Sequence, residues 1–323
     1  MGIRVVLEPE FQFAGELIFP DGRRHLFRNT NFNVNPAGST EIAKDKDYTK
    51  FFLRERGFPV PDGRTFFSEK LNKKLDAEKR RNVDDAVVLA TTLGFPVFVK
   101  PNNLSQGELV TKVDNPEQLR SVAKAIFEKT EVMLVERECR GRDYRIVVLD
   151  REIISAYERI PLCVTGDGKH TIQELIGLAQ IGLSTQGRPN SEIAPDDVRI
   201  DLKLERLGLA RSSVLTEDRR VPLLDNANLS TGGTSLDATE LIHASFAKIA
   251  VDATKALGLV LAGVDIICQD LSLGCTSQSW VAIEINAAPG LDNYSAIGEV
   301  QARRVKDLYR QILKFLERTT SIQ

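Results

Sequence analysis

Two apolar runs near the C-terminal end, each interrupted by an acid, constrain this chain more than any other feature. The first is Leu261-Ala-Gly-Val-Asp-Ile-Ile-Cys268, with Asp265 at its centre; the second is Val281-Ala-Ile-Glu-Ile-Asn286. Both read as β-strands, and a carboxylate inside so apolar a strand needs a partner, because burying it bare is costly. Glu284 and Asn286 are two residues apart and therefore point from the same face. Two carboxylates and an amide carbonyl make the hard oxygen set that a cation such as Mg²⁺ prefers. Asp265, Glu284 and Asn286 are thus candidate metal ligands. Ala287-Ala-Pro-Gly290 follows, ending regular structure and letting backbone approach a ligand.

Bulk properties narrow the function classes. With 323 residues, 42% hydrophobic and 27% charged, the chain has the makings of an ordinary soluble globular protein. A formal charge of −2 gives no electrostatic reason to expect nucleic acid or an anionic membrane. No apolar run approaches the roughly 18–20 residues that span a bilayer, and the first residues lack a signal peptide's apolar region. Cys139, Cys163, Cys268 and Cys275 show no zinc-like spacing, so free thiols and a cytoplasmic location are expected.

Along the chain, Glu16–Phe27 reads as a hairpin turning at Pro20-Asp21-Gly22, and Ser39–Gly57 as one helix. Asn82 caps a helix ended by Gly94. Strands are expected at Phe95–Lys100, Glu108–Val113 and Val132–Glu136, with a helix from Pro116 to about Lys129. A second hairpin turns at Asp150-Arg151. Short and long helices follow at Thr171–Ile176 and His243–Leu257, and an amphipathic one at Glu299–Arg318. Residues 181–220 have no readable periodicity. His25 and His243 are expected to face solvent and His170 to serve a helix start; none has metal-ligand spacing.

Lys100 closes an apolar strand and precedes Pro101-Asn-Asn-Leu-Ser-Gln-Gly107. A lysine so placed wants an anion, and the Gly/Ser/Asn loop offers backbone N–H groups to phosphate oxygens. With Lys46 in Asp45-Lys-Asp-Tyr-Thr-Lys50, Val99-Lys-Pro101, Gly141-Arg-Asp-Tyr-Arg145, Gly166–Ile176, Asn226-Ala-Asn-Leu-Ser-Thr-Gly-Gly-Thr234 and Glu284-Ile-Asn-Ala-Ala-Pro-Gly290, the ordered set resembles the ATP-grasp superfamily. Within it, the likeness is to the ATP-grasp domains of cyanophycin synthetases and of bifunctional glutathione-synthesis enzymes. It covers about three-quarters of the chain.

That resemblance implies an α+β fold in which two subdomains clasp ATP. A β-rich segment and helix fill 1–83, a small lid subdomain 84–138, and a large subdomain 139–323. It implies that Lys46 and Lys100 meet phosphates under a flap of Ser105, Gln106 and Gly107. Glu136, Arg137, Glu138 and Cys139 would line adenine, and Asp143 would hold the ribose. Asp265, Glu284 and Asn286 would bind two Mg²⁺ ions, or Mn²⁺ in their place. Arg145, Arg159 and the loop Ser230, Thr231, Gly232 and Gly233 would stabilise transition-state charge. The implied reaction joins a small-molecule carboxylate, an amino acid or peptide, to an amine through an acyl phosphate, with release of ADP. A homodimer is the implied assembly.

Two departures from the pattern are visible. Leu224-Asp225 stands where many relatives carry basic residues, which takes away the basis for assuming an acidic substrate. Gly263 stands where D-alanine–D-alanine ligases place an arginine two residues before the metal aspartate, so another arginine must serve. The relatives' partner domains are absent from the sequence, which reads as a free-standing unit. An ATP-grasp kinase and a silent nucleotide-binding module are the rival readings.

Overall fold

The computed structural model describes residues 1–185, 194 and 196–318. At the N-terminal end, β1 (Arg4–Leu7), β2 (Ala14–Ile18) and β3 (Arg24–Arg28) form an antiparallel sheet in that order. The β2–β3 hairpin turns where expected, with Gly22 at φ 87°. His25 does not face solvent. It pairs across the hairpin with Leu17 and is 7% exposed, its ring edge-on to Phe19 at 5.3 Å. Burial pushes its imidazole pKa below the ordinary value.

The expected helix over 39–57 is two helices, α1 (Ala37–Lys44) and α2 (Lys46–Glu55). Asp45 between them is extended, and its carboxylate accepts from the Tyr48 N–H, capping the second helix. The buried stripe of α2 is Lys46, Thr49, Lys50 and Leu53, so two lysines sit on its covered face.

A small sheet follows. β4 (Gly63–Phe67) leads through α3 (Glu69–Asn72) to α4 (Val83–Leu93), which starts at a capping box formed by Asn82 and Asp85. Then come β5 (Val97–Pro101), β6 (Thr111–Val113), α5 (Pro116–Lys129) and β7 (Val132–Arg137). The antiparallel order is β4-β7-β5-β6, so residues 84–138 supply three strands and β4 comes from before them. The expected strand over 108–113 shortens to β6, because Gln106, Gly107 and Leu109 take positive φ and bend the chain. Ala86, Ala90, Leu119 and Ile126 seal the helices onto Val97, Val99 and Val135.

The large sheet has the order β12-β9-β8-β13-β14. Its hairpin, β8 (Arg142–Leu149) and β9 (Glu152–Ile160), turns at Asp150-Arg151, both at positive φ as a tight two-residue turn requires. Next are β10 (Cys163–Thr165), α6 (Ile172–Thr185), α7 (Val198–Arg206), β11 (Arg220–Pro222), β12 (Thr234–Asp237) and α8 (Ala244–Ala256). The helix expected over 171–176 is the start of the longer α6. Part of the unreadable 181–220 stretch is thus α7; residues 186–193 and 195 lie outside the described ones. His170 does not cap α6. Its ring pairs with Asp167 at 2.5 Å, while Thr171 and Glu174 make the reciprocal cap. His243 is exposed, as expected, and accepts from the Ser245 N–H at the start of α8.

The chain closes with β13 (Leu261–Cys268), β14 (Trp280–Asn286), α9 (Asp292–Ser295) and α10 (Glu299–Arg318). Ile146, Val148, Val264 and Ile266 face α8, whereas Val147, Leu149 and Leu261 face α10 and the N-terminal sheet. Burial on both faces explains why these strands read as unbroken apolar runs. Along α10, Leu308, Ile312 and Leu316 form the inward stripe.

One side chain ties the N-terminal segment to this sheet. The Asn35 amide accepts from Val260 N and Leu261 N (2.7 and 3.0 Å) and donates to Leu261 O and Ala287 O (both 2.8 Å). It saturates all four of its hydrogen-bonding positions on backbone.

Candidate active site

Strand register builds the site. Arg145 on β8 faces Asp265 on β13, which faces Glu284 on β14; one pair along, Asp143 faces Arg159 on β9. A bulge between Asp265 and Ile266 lets Ile283 drop out of pairing and keeps Glu284 opposite Asp265. Residues two apart share a face, so the polar row continues to Gly263 and Asn286. The same face is apolar toward α10 and charged toward the small sheet.

These charges are paired. Arg145 grips Asp265 with Nε and Nη2 at 2.7 Å each. Arg159 reaches Asp265 at 2.9 Å and Asp143 at 2.6 Å. Burial pushes the Asp265 carboxyl pKa up, but the two guanidiniums outweigh it and hold the group below its ordinary value. Asp143 goes the other way: burial, helped by the charge of Asp265, outweighs Arg159 and raises it. Asn286 turns its amide oxygen to Arg145 Nη2 (3.0 Å) and its nitrogen to Glu284 Oε1 (3.3 Å). Gly263 explains how an arginine from another strand can serve here. A Cβ at that position would lie 3.0 Å from Pro289 Cβ and 3.4 Å from Arg145 Cδ, so the Arg145 chain fills the space.

Asp265, Glu284 and Asn286 fit a divalent cation by donor chemistry: three oxygen donors on adjacent strands at the wall of one cleft. No cluster of three His, Cys, Asp or Glu suited to a metal occurs among the described residues; this set is two carboxylates and an amide.

Opposite the grid stands a lysine cluster. Glu136, 3% exposed, binds Lys100 Nζ through Oε2 at 2.5 Å and Lys50 Nζ through Oε1. Lys46 Nζ donates to Leu104 O at 2.6 Å, holding the base of the loop after β5. Sequence reasoning missed Lys50, although its place four residues after Lys46 and three before Leu53 puts it on the buried stripe of α2. Burial, reinforced by Lys46, lowers the Lys100 pKa to about 8. A phosphate is attracted only by the charged lysine. In the phosphate-binding role that the resemblance implies for Lys100, nucleotide affinity is expected to fall as pH rises through about 8, with Lys100→Arg flattening that fall in titration calorimetry.

Backbone dominates the linker between the sheets. The Arg137 guanidinium is turned outward to Leu93 O (2.8 Å), and Glu138 pairs with Lys112 (2.6 Å). Cys139 is half-buried, and burial raises its thiol pKa, as suits a contact residue better than a nucleophile.

The loop Ser105-Gln106-Gly107 docks on α7 and the segment before β12. Ser230 Oγ donates to Gln106 O (3.1 Å), while Arg199 Nη1 and Asn226 Nδ2 donate to Gly107 O (2.7 and 3.2 Å). Arg199 lies on α7, itself braced by Asp197, and no motif announced it. Along α7, Lys203 and Arg206 pair with Asp225, and Arg206 also reaches Asp114, just after β6 of the small sheet. Asp225 is thus neutralised by α7 cations that sequence alone could not bring to it.

Every residue expected at the site lines one cleft of about 1170 Å³, except Thr231, Gly232 and Gly233. Those three shape the loop behind the wall: Gly232 is left-handed, and a Cβ on Gly233 would meet Asn228 O at 2.6 Å. Phe13, Asn29 and Thr30 also reach the cleft from the N-terminal sheet and the turn after it.

Comparison with known proteins bears on the family. The D-ala D-ala ligase C-terminus family matches residues 52–167, and the RimK-like ATP-grasp domain matches residues 225–306. Cyanophycin synthetase of Crocosphaera subtropica is 31% identical over 279 residues, 83% of this chain and 30% of that protein. The glutathione biosynthesis bifunctional protein GshAB of Enterococcus faecalis is 31% identical over 284 residues, 85% of this chain and 35% of that protein. The chain thus spans about a third of the length of these relatives. Among solved structures, a bifunctional glutathione synthetase from Pasteurella multocida superposes with a TM-score of 0.57 at 28% identity, covering 96% of this chain and 42% of that one. Two family models that together span residues 52–306, and relatives 31% identical over more than four-fifths of the chain, point the same way: the chain belongs to the ATP-grasp superfamily.

Proposed function

We propose that this chain is an ADP-forming carboxylate–amine ligase acting on an amino acid or small peptide. The observation that carries the reading is the cross-strand grid of Arg145, Asp265, Glu284 and Asn286 facing Lys46 and Lys100 across one cleft. In this reading the lysines and the N–H groups of Ser105, Gln106 and Gly107 hold the phosphates. Backbone of Glu136 to Cys139 frames the adenine, and Asp143 takes the ribose hydroxyls. Asp265, Glu284 and Asn286 hold two Mg²⁺ ions, or Mn²⁺, whose chemistry when bound is charge neutralisation and alignment of phosphate oxygens.

The substrate carboxylate attacks the γ-phosphorus, the bond to the bridging oxygen breaks, and ADP leaves. The amine then attacks the acyl carbon, loses a proton, and expels phosphate as the amide forms. Both transition states gather negative charge on oxygen, and Arg145 and Arg159 at the cleft floor oppose it. Placing the ions is electrostatic work done in advance of reaction, which is where phosphoryl transfer gains most.

A screen of amino-acid and dipeptide pairs with Mg-ATP tests the proposal by phosphate release and mass spectrometry of the product. Phosphate release that requires both a carboxylate and an amine supports the ligase; ADP formation indifferent to any amine overturns it in favour of a kinase. Glu284→Ala is expected to abolish turnover while ATP affinity falls less. Turnover like that of the unmodified chain would refute the metal assignment.

A further inference from the structure

Lys50 has no part in the reaction above, yet it is among the most enclosed charges in the molecule. Its side chain is 4% exposed and reaches Glu136 Oε1 from the covered face of α2. Lys100 holds the other oxygen of the same carboxylate and is itself 7% exposed. Two buried ammonium groups therefore share one buried carboxylate. Lys46, one turn before Lys50, is engaged elsewhere, on Leu104 O and Asn102 O. A buried ion pair is stable only while both partners stay, because removing one leaves an uncompensated charge in a medium that solvates it poorly.

With Lys100 alone on Glu136, the two would form a closed pair. A polyphosphate could draw Lys100 away only by stranding the carboxylate. We infer that Lys50 is a positioning residue that stays on Glu136 and thereby leaves Lys100 free to meet the phosphates of the nucleotide. The inference rests on the nucleotide reading of the cleft.

The test measures binding to the full chain by titration calorimetry, with Mg-bound non-hydrolysable ATP analogue and with adenosine as probes. Lys50→Met is expected to weaken the analogue by about 30-fold or more, the lower end for losing one partner from a buried charge pair, and to leave adenosine unchanged. Adding Glu136→Gln removes the stranded charge and is expected to restore most of the lost affinity. Lys50→Arg keeps the charge and the affinity. Should Lys50→Met not fold, Lys50→Gln replaces it, retaining a donor toward Glu136 without the charge. An unchanged affinity in the uncharged variant, equal weakening of adenosine, or a double variant no tighter than the single one overturns the inference. An unmodified chain that binds neither probe overturns the nucleotide reading and this inference together.

Discussion

Asp265→Asn is expected to lower turnover by roughly 10³-fold or more, beyond the loss from a single transition-state donor. The substitution keeps shape and removes one negative charge from a place where two guanidiniums converge at 2.7 and 2.9 Å. It removes a proposed metal ligand and leaves Arg145 without the carboxylate that it grips with two nitrogens. Because Asp265 is 2% exposed, the stranded charge is not solvated, and breaking such a buried pair costs about 3–5 kcal/mol. Chemical denaturation should therefore show a fall in stability beside the kinetic loss. Asp143→Asn is the control: Arg159 keeps Asp265 as partner, so the stability loss should be smaller. Equal turnover in Asp265→Asn and the unmodified chain would remove Asp265 from the chemistry.

Gly107→Ala is expected to cut kcat/KM for ATP by about 10²-fold, the scale of misplacing a positioning group by an ångström. A Cβ there would lie 1.6 Å from Asn228 Nδ2 and 2.5 Å from Asn226 Nδ2, and the residue sits at φ 69°. The left-handed backbone alone costs about 1–2 kcal/mol for a residue with a Cβ. The three donors that hold the carbonyls of Gln106 and Gly107 would then lose their register, and the loop should become a site of proteolytic cleavage. Gly94→Ala separates the causes: that glycine is also left-handed in φ, at 82°, but nothing lies within 4 Å of its Cβ position. It should cost some stability and leave the kinetics alone. A Gly107→Ala protein with an intact loop and unaltered kinetics would show that docking of the loop has no role.

The elements, and the acids and lysines of the candidate site, were legible because their signals are local. Period-2 strands with an acid in the middle, a capping box at Asn82 and an inward stripe on α10 each announce themselves within a few residues. What stayed hidden depends on partners far along the chain. Arg145 meets Asp265 120 residues away, and Arg199 meets Gly107 across 92. Register across a sheet is not written in either strand alone. His25 shows the same limit in reverse. Hydropathy alone would turn Leu26 inward, yet pairing of His25 with Leu17 covers the histidine and leaves Leu26 74% exposed. The break at Asp45 was missed for a different reason: its capping role interrupts an otherwise continuous helical pattern by one residue.

Asn35 bears on how long this site can last. Its amide donates to two carbonyls and accepts from two N–H groups, so conversion to a carboxylate would turn two attractions into repulsions, one at Leu261 and one at Ala287, the residue next to Asn286. The usual route to that ageing reaction is attack by the following backbone nitrogen on the side-chain amide. Here the following residue is Pro36, whose ring nitrogen carries no hydrogen to lose. The bond that anchors the end of the strand carrying Glu284 and Asn286 is thereby shielded from the commonest spontaneous damage to an asparagine, a chemical durability set by its neighbour in sequence.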